Sequence, residues 1–309
     1  MERPAPAYQL TRTCFQRALA FIYLIAFLVT AHQFRGLIGE HGLLPAALYL
    51  KQVRFWDTPS LFFLCSSDLF LAAIAWFGVL LSMLALNGSS ELFGAYFSSA
   101  LWFFLWLFYL SFVNVGQIFY GFGWETLLLE AGFIAVFLGS NDTETPVPLI
   151  WFLRWLLFRL MFGAGLIKIR GDSCWRDLTA MFYHYETQPI PNPLSWHLHH
   201  LPGLVHKAGT LFTHFTELIV PWLYFAGRFA CAGTGMLTAF FQLLLILSGN
   251  LSWLNYLTLV LCIPCFDDAF LSKFKSATPS EVKSHGLSGW YCKPARAAIS
   301  TALKSPFWK

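Results

Sequence analysis

The sequence predicts an all-α, multi-pass membrane bundle of six to eight helices, and three observations carry that expectation. Of 309 residues, 57% are hydrophobic and only 12% charged, which is more apolar surface than a soluble domain of this length can hide. The mean hydropathy is +0.58. The apolar residues also gather in windows of the ~20 residues that a helix needs to cross roughly 30 Å of hydrocarbon. Aromatic residues make up 18% of the chain, with 33 Phe and 13 Trp, and suit interfacial belts and helix packing in a bilayer. Membrane lipid is therefore an expected partner, and nucleic acid is not.

Six windows are long enough to span: Phe15 to Phe34, Asp68 to Leu86, Tyr96 to Val115, Pro148 to Lys168, Thr210 to Ala226 and Phe229 to Ser248. The first has no small-residue cleavage site, so it is expected to remain as a signal anchor. Between the first two, Gly36, Gly39, Gly42 and Pro45 punctuate a segment containing LLPAALYL, which reads as an interfacial piece or as an ordinary loop. Two shorter apolar pieces, Glu125 to Leu138 and Trp253 to Phe266, read as tilted spans, re-entrant segments or core helices. After Leu271 the hydrophobicity stops. Residues 272–309 carry seven Lys or Arg against the single Glu281, too short and polar for a core of their own, and are expected to be a disordered basic tail or a lipid-surface contact. Residues 1–271 form the membrane domain.

Orientation does not follow from charge. With the N-terminus inside, Arg3, Arg12, Arg17, Arg228, Lys273, Lys275 and Lys283 lie inside. Arg35, Lys51, Arg54, Lys168, Arg170, Arg176 and Lys207 lie outside, so the positive-inside count is even. Asn87, Asn141 and Asn250 open Asn-X-Ser/Thr sequons, usable only where their loops face a glycosylating lumen. Seven cysteines, an odd number scattered mostly through apolar stretches, do not form a disulfide framework.

Ionisable residues inside a span cost about 2.5 to 3.5 kcal/mol each on insertion scales, so Glu130, Arg154 and Arg159 are singled out. If Glu125 to Leu138 and Pro148 to Lys168 form an antiparallel hairpin, equal counting from its turn puts Glu130 level with about position 157. At ~1.5 Å per residue, Arg159 is then within ~3 Å of that depth. A Glu130–Arg159 ion pair that fixes helix register is the favoured expectation, with a proton or substrate relay as the alternative. Gly163, Ala164 and Gly165 follow on the same helix as a close-packing signal.

Lys168 ends that helix and has two readings. It is either a snorkelling lysine that complements the helix dipole or an amine near an apolar cavity acting as a general base. His197, His199 and His200 lack supporting acidic or thiol ligands, so no metal is expected; an interfacial helix anchored by Trp196 is the preferred account. Cys262 and Cys265 have dithiol spacing but lie in an apolar run, which favours a buried structural role.

The segments GLIGEHGLLP, VNVGQIFYGFGWETLLLEAGF, RWLLFRLMFGAGLIKIRGDSCWRDLTAMFYHYETQPIPNPLSWHLHH and LSGNLSWLNYLTLV resemble the lipase maturation factor family, collinearly over about Tyr8 to Leu271. The resemblance implies a multi-pass protein of the endoplasmic reticulum membrane, or of the inner membrane in a bacterial member, acting as a non-enzymatic chaperone for secreted lipases. It implies a cytosolic N-terminus and a lumenal loop from Arg170 to Lys207. It also implies a soluble C-terminal domain, in whose place this chain has its basic tail. No cofactor is expected. In the loop, Asp172, Cys174, Trp175, Arg176, Tyr183, His184, Tyr185, Glu186 and Trp196 are the candidate client-binding residues. The aromatic members offer recognition surface, and Asp172 with Arg176 at i, i+4 shapes the backbone.

A second likeness is fainter. GAGLIKI followed by Trp175 is similar to a pattern in the membrane part of vitamin K-dependent γ-glutamyl carboxylases, where the lysine matching Lys168 is the catalytic base. The alternative function is accordingly an integral membrane enzyme using Lys168 as general base.

Overall fold

A computed structural model describes residues 7–188 and 192–274 of the chain. Most of the tail expected at residues 272–309 lies outside the described residues. Among those described, helices account for the architecture and no strand occurs. Five helices are long and apolar enough to cross a membrane: α1 (Gln9–Leu37), α2 (Asp68–Leu86), α3 (Ala95–Val115), α5 (Val147–Arg170) and α7 (Arg228–Ser248). Three shorter or broken elements run beside them. These are α4 (Gly123–Ala135), α6 (Gly203–His214) with its irregular continuation to Phe225, and α8 (Leu254–Cys262) extended by a 3-10 turn.

Hydrogen bonds between loops sort the chain ends onto two faces. On one face, Thr11 N–H donates to Asp268 Oδ1 at 3.0 Å, Arg12 Nη1 to Thr143 O at 3.0 Å and Arg17 Nε to Glu91 Oε1 at 3.0 Å. Arg228 Nη2 also reaches Asp267 Oδ1 at 3.1 Å there. On the other, Gln117 Nε2 reaches Leu44 O at 3.1 Å, Asn114 Nδ2 reaches Pro59 O at 2.6 Å, and Ser195 Oγ reaches Ser248 O at 2.8 Å. Every one of the eight elements α1 to α8 therefore joins the terminal face to the loop face. The two short apolar pieces of the sequence are traversals, and α4 and α8 pack against the longer helices through Leu127, Leu128, Ala131, Leu257 and Leu261.

The expected regular span Thr210 to Ala226 is corrected: α6 gives way to a π-helical turn, Phe215–Ile219, and then to a 3-10 stretch, Val220–Phe225. Val220 N–H bonds Phe215 O, one residue further back than in an α-helix. Pro221 follows without an N–H of its own, and its ring excludes the normal α-helical carbonyl.

The core is built around α1. Phe15, Leu19, Tyr23, Phe27 and Phe34, spaced by four and seven, are almost wholly buried, as one face of a helix requires. The α2 backbone reaches α1 at Gly78, where an added Cβ would run into the Phe27 ring. Close approach through a glycine replaces the hydrophobic drive that helices lack inside lipid. Gly78→Val is expected to cost about 2–3 kcal/mol by overpacking, read as a lowered unfolding midpoint in detergent. The remaining helix surface faces outward and is apolar: Trp76, Phe77, Leu80 and Met83 of α2 are each about half exposed, as lipid contact demands. Near the loop face, Leu43, Leu48, Trp56 and Leu64 point outward around the short helix Ala46–Leu50, the disposition of a segment lying along an interface.

Candidate functional site

The seam between α5 and the loop is built by the broken helix. α5 runs two residues past Lys168, to Arg170. Opposite it, the π turn places Glu217 toward α5, and Glu217 Oε1 accepts from Lys168 Nζ. Gly165, one turn earlier, permits the approach: an added Cβ there would lie 2.6 Å from Leu218 Cδ2 and 3.0 Å from Glu217 Cβ. The Glu217 side chain is 4% exposed and that of Lys168 25%, so the pair is largely screened from solvent.

Trp175 closes the other side, with Lys168 Nζ 5.3 Å from its ring centroid. Its carbonyl accepts from His214 Nε2 at 2.9 Å, and the two rings meet edge to face at 6.0 Å. Lys168 Nζ thus sits between the Glu217 carboxyl and an indole face, with both sides of the amine already occupied by the chain's own groups. Neither of two lateral clefts includes Lys168 in its lining. The larger, of about 640 Å³, opens between α1, α4 and α8 beside Thr30, Tyr120, Trp124, Glu125 and Trp253.

The loop residues divide by exposure. Asp172 caps the short helix Ser173–Arg176, accepting from Cys174 N at 2.9 Å. That backbone donor holds the Asp172 carboxyl below its ordinary range. Arg176 stands beyond direct ion-pair contact with the capped carboxylate, and its charge adds a smaller lowering of the Asp172 pKa. Cys174 is half-buried, and burial, with Asp172 beside it, raises its thiol pKa, which makes it a poor nucleophile. Trp175, a proposed client contact, is half-buried against Lys168 and His214. Tyr183 and Trp196 are 58% and 63% exposed, and Leu204 is 79% exposed. Glu186 pairs with His199 at 2.9 Å.

The loop is anchored where α7 ends. Gln188 Nε2 donates to Ser248 O at 3.2 Å and Asn192 Nδ2 to Ile246 O at 3.3 Å; with Ser195 they satisfy carbonyls that the last helical turn leaves open. Asn192 also caps the helix Pro193–His199 through Leu194 N at 3.0 Å. The rings of the His-Leu-His-His group serve separate partners: His199 meets Glu186, and His200 Nδ1 donates to Trp196 O at 2.7 Å.

His184 lies 3.2 Å from Gln188 Nε2, half-buried beside Tyr185. Burial, then the charge of Lys168, lowers its pKa. A folded-state pKa below the unfolded value contributes stability above about pH 6.5 and loses it as pH falls through the folded value. The protection of amides over residues 180–188, taken relative to their intrinsic exchange rate at each pH, is therefore expected to fall below about pH 6.5 in the wild type and to be flatter in His184→Gln.

Elsewhere in the bundle, Arg159 Nη2 donates to Glu130 Oε2 between α5 and α4. Arg154 is buried at the other end of α5, where Nε reaches Pro264 O at 2.9 Å and Nη2 reaches the Tyr8 hydroxyl at 3.2 Å. Cys262 and Cys265 are buried. Sequence reasoning missed Glu217. The signal was present, an acid inside the apolar run THFTELIVPW, which is the criterion that drew attention to Glu130.

Comparison with known proteins places this geometry. The family described as the lipase maturation factor transmembrane domain matches residues 10–273. The chain is 46% identical over 296 residues to lipase maturation factor 1 of Homo sapiens, covering 91% of this chain and 52% of that protein. It is 44% identical over 306 residues to lipase maturation factor 1 of Bos taurus, covering 92% and 53%. Lipase maturation factor 2 of Xenopus laevis is 38% identical over 290 residues, 87% of this chain and 40% of that protein. The chain thus spans about half the length, or less, of these relatives. No solved structure matches it.

Proposed function

Because this chain belongs to the lipase maturation factor family, we propose that it assists the folding and assembly of secreted lipases as a non-enzymatic, multi-pass chaperone of the endoplasmic reticulum membrane. The terminal face is cytosolic in this reading and the loop face lumenal. The client meets exposed apolar side chains of the loop and the helices that follow it, Tyr183, Leu194, Trp196 and Leu204. Aromatic side chains with polar neighbours suit transient recognition of partly folded surfaces. The single observation that carries the choice over enzyme chemistry is the closure of Lys168 between Glu217 and Trp175, which gives the lysine a packing role at the seam.

The test is complementation in cells lacking the endogenous factor, with secreted lipase activity measured per unit of this protein. Tyr183→Ala/Trp196→Ala is expected to reduce rescue about tenfold at unchanged protein level, since exposed aromatic anchors each contribute on the order of 1 kcal/mol or more to a transient contact. Lys168→Met is expected to lower the protein level, with little change in rescue per molecule. Full loss of rescue by Lys168→Met at normal level would establish the enzyme reading instead, and full rescue by the double aromatic variant would remove the loop as the client surface.

A further inference from the structure

The Glu130–Arg159 pair lies on the outside of the bundle. Its side chains are 40% and 55% exposed, although the residues sit deep within their helices. Arg159 is 12 residues from the start of α5 and 11 from its end, or about 17–18 Å from either face at ~1.5 Å per residue. Ionisable groups at that depth face a bundle interior or a water-filled cavity in membrane proteins, because hydrocarbon cannot solvate them. Here they face where lipid tails would be. The surroundings are those of a helix contact. Phe133 of α4, Phe137 just beyond its end and Trp155, one turn before Arg159 on α5, are each about half exposed. One turn beyond Arg159 is Gly163, where an added Cβ would meet nothing within 4 Å.

We propose that this α4–α5 face is an interface with a second copy of the chain, and that the ion pair is buried at its centre. Charge complementarity selects the occupant. The face carries one charge of each sign at one depth, and a two-fold axis along the membrane normal preserves depth. Two copies related by that axis therefore bring the carboxylate of each toward the guanidinium of the other, the self-complementarity that an isologous interface requires. Four charges then share one site away from lipid, and the bare backbone at Gly163 lets the paired α5 helices approach closely.

The experiment is subunit counting by photobleaching of singly labelled protein reconstituted at increasing lipid dilution, paired with variants on and off the face. Wild-type protein is expected to bleach in two steps at dilutions where Gly163→Trp bleaches in one. The dimerisation midpoint should shift by about tenfold or more, the scale of one lost close helix contact. Phe133→Ala, which adds no bulk and removes a half-exposed ring whose inner side meets Trp106 of α3, is expected to shift it in the same direction at an unchanged unfolding midpoint. Met236→Trp, on an exposed position of α7, is expected to leave it unchanged. One-step bleaching of the wild type throughout would overturn the proposal, with the pair then hydrated by a local bilayer defect. Dimers equally weakened by Met236→Trp, or indifferent to both Gly163→Trp and Phe133→Ala, would overturn the assignment of the face.

Discussion

Glu217→Leu is expected to destabilise the protein by about 2–4 kcal/mol, and Glu217→Leu combined with Lys168→Met by much less. Removing one partner of a buried ion pair strands the other charge, at a cost of about 3–5 kcal/mol where burial is complete. Lys168 keeps a quarter of its side-chain surface and its place over the Trp175 ring, so the lower part of that range applies. Removing both charges leaves two apolar side chains at a site already lined by Leu218 and Gly165, and such replacements are often close to neutral. A double-mutant cycle on unfolding midpoints in detergent measures the coupling. Additive losses, with the double variant the worst, would show that the two residues act separately and that α5 is not held to the π turn by this pair.

The second large effect is expected at Arg12. Its side chain is wholly buried. Nη1 donates to Thr143 O at 3.0 Å and Nη2 to Asn141 Oδ1 at 3.3 Å, which pins the α4–α5 turn to the start of α1. Arg12→Ala removes those donors, empties a large volume and withdraws the positive charge facing Glu91, Asp142 and Asp268. A loss of about 3–5 kcal/mol is expected, by the same stranded-charge argument together with a cavity. Gln9 Nε2 still reaches Thr143 O at 2.8 Å, so the turn should loosen without detaching. Faster amide exchange at residues 139–145, with α7 unaffected, is the signature. Arg12→Lys retains the charge but cannot make both bonds and is expected to fall between.

The fold class was legible because span length and apolarity are properties of single segments. Asp68 to Leu86 is a helix with those same bounds, and the ends of α3, α5 and α7 lie within two residues of the windows read from hydropathy. The irregular helix after His214 was not legible. Thr210 to Ala226 is apolar enough to span, and although Pro221 marks a break in it, the π form of that break at Phe215–Ile219 and its contact with Gly165 and Lys168 are not properties of the segment alone. The seam was visible as a change of polarity at Lys168, whereas the identity of its partner depended on tertiary structure 49 residues away. Trp175 illustrates the same limit. A tryptophan in a polar loop looks available to a client, but its neighbours Lys168 and His214 come from two different helices.

The polar network at the start of α1 carries a consequence for biosynthesis. Thr11 donates its hydrogen bond to a residue 257 positions later, Asp268, and Arg12 donates to residues near position 141. At about 5–20 residues per second, the first helix leaves the ribosome roughly 10–50 s before Asp268 is made. Throughout that interval a helix with Arg12, Gln16 and Thr30 on its future inner face has no finished bundle to enter. Made before the rest of the described bundle, α1 is thus among the last of its helices to have its polar contacts completed.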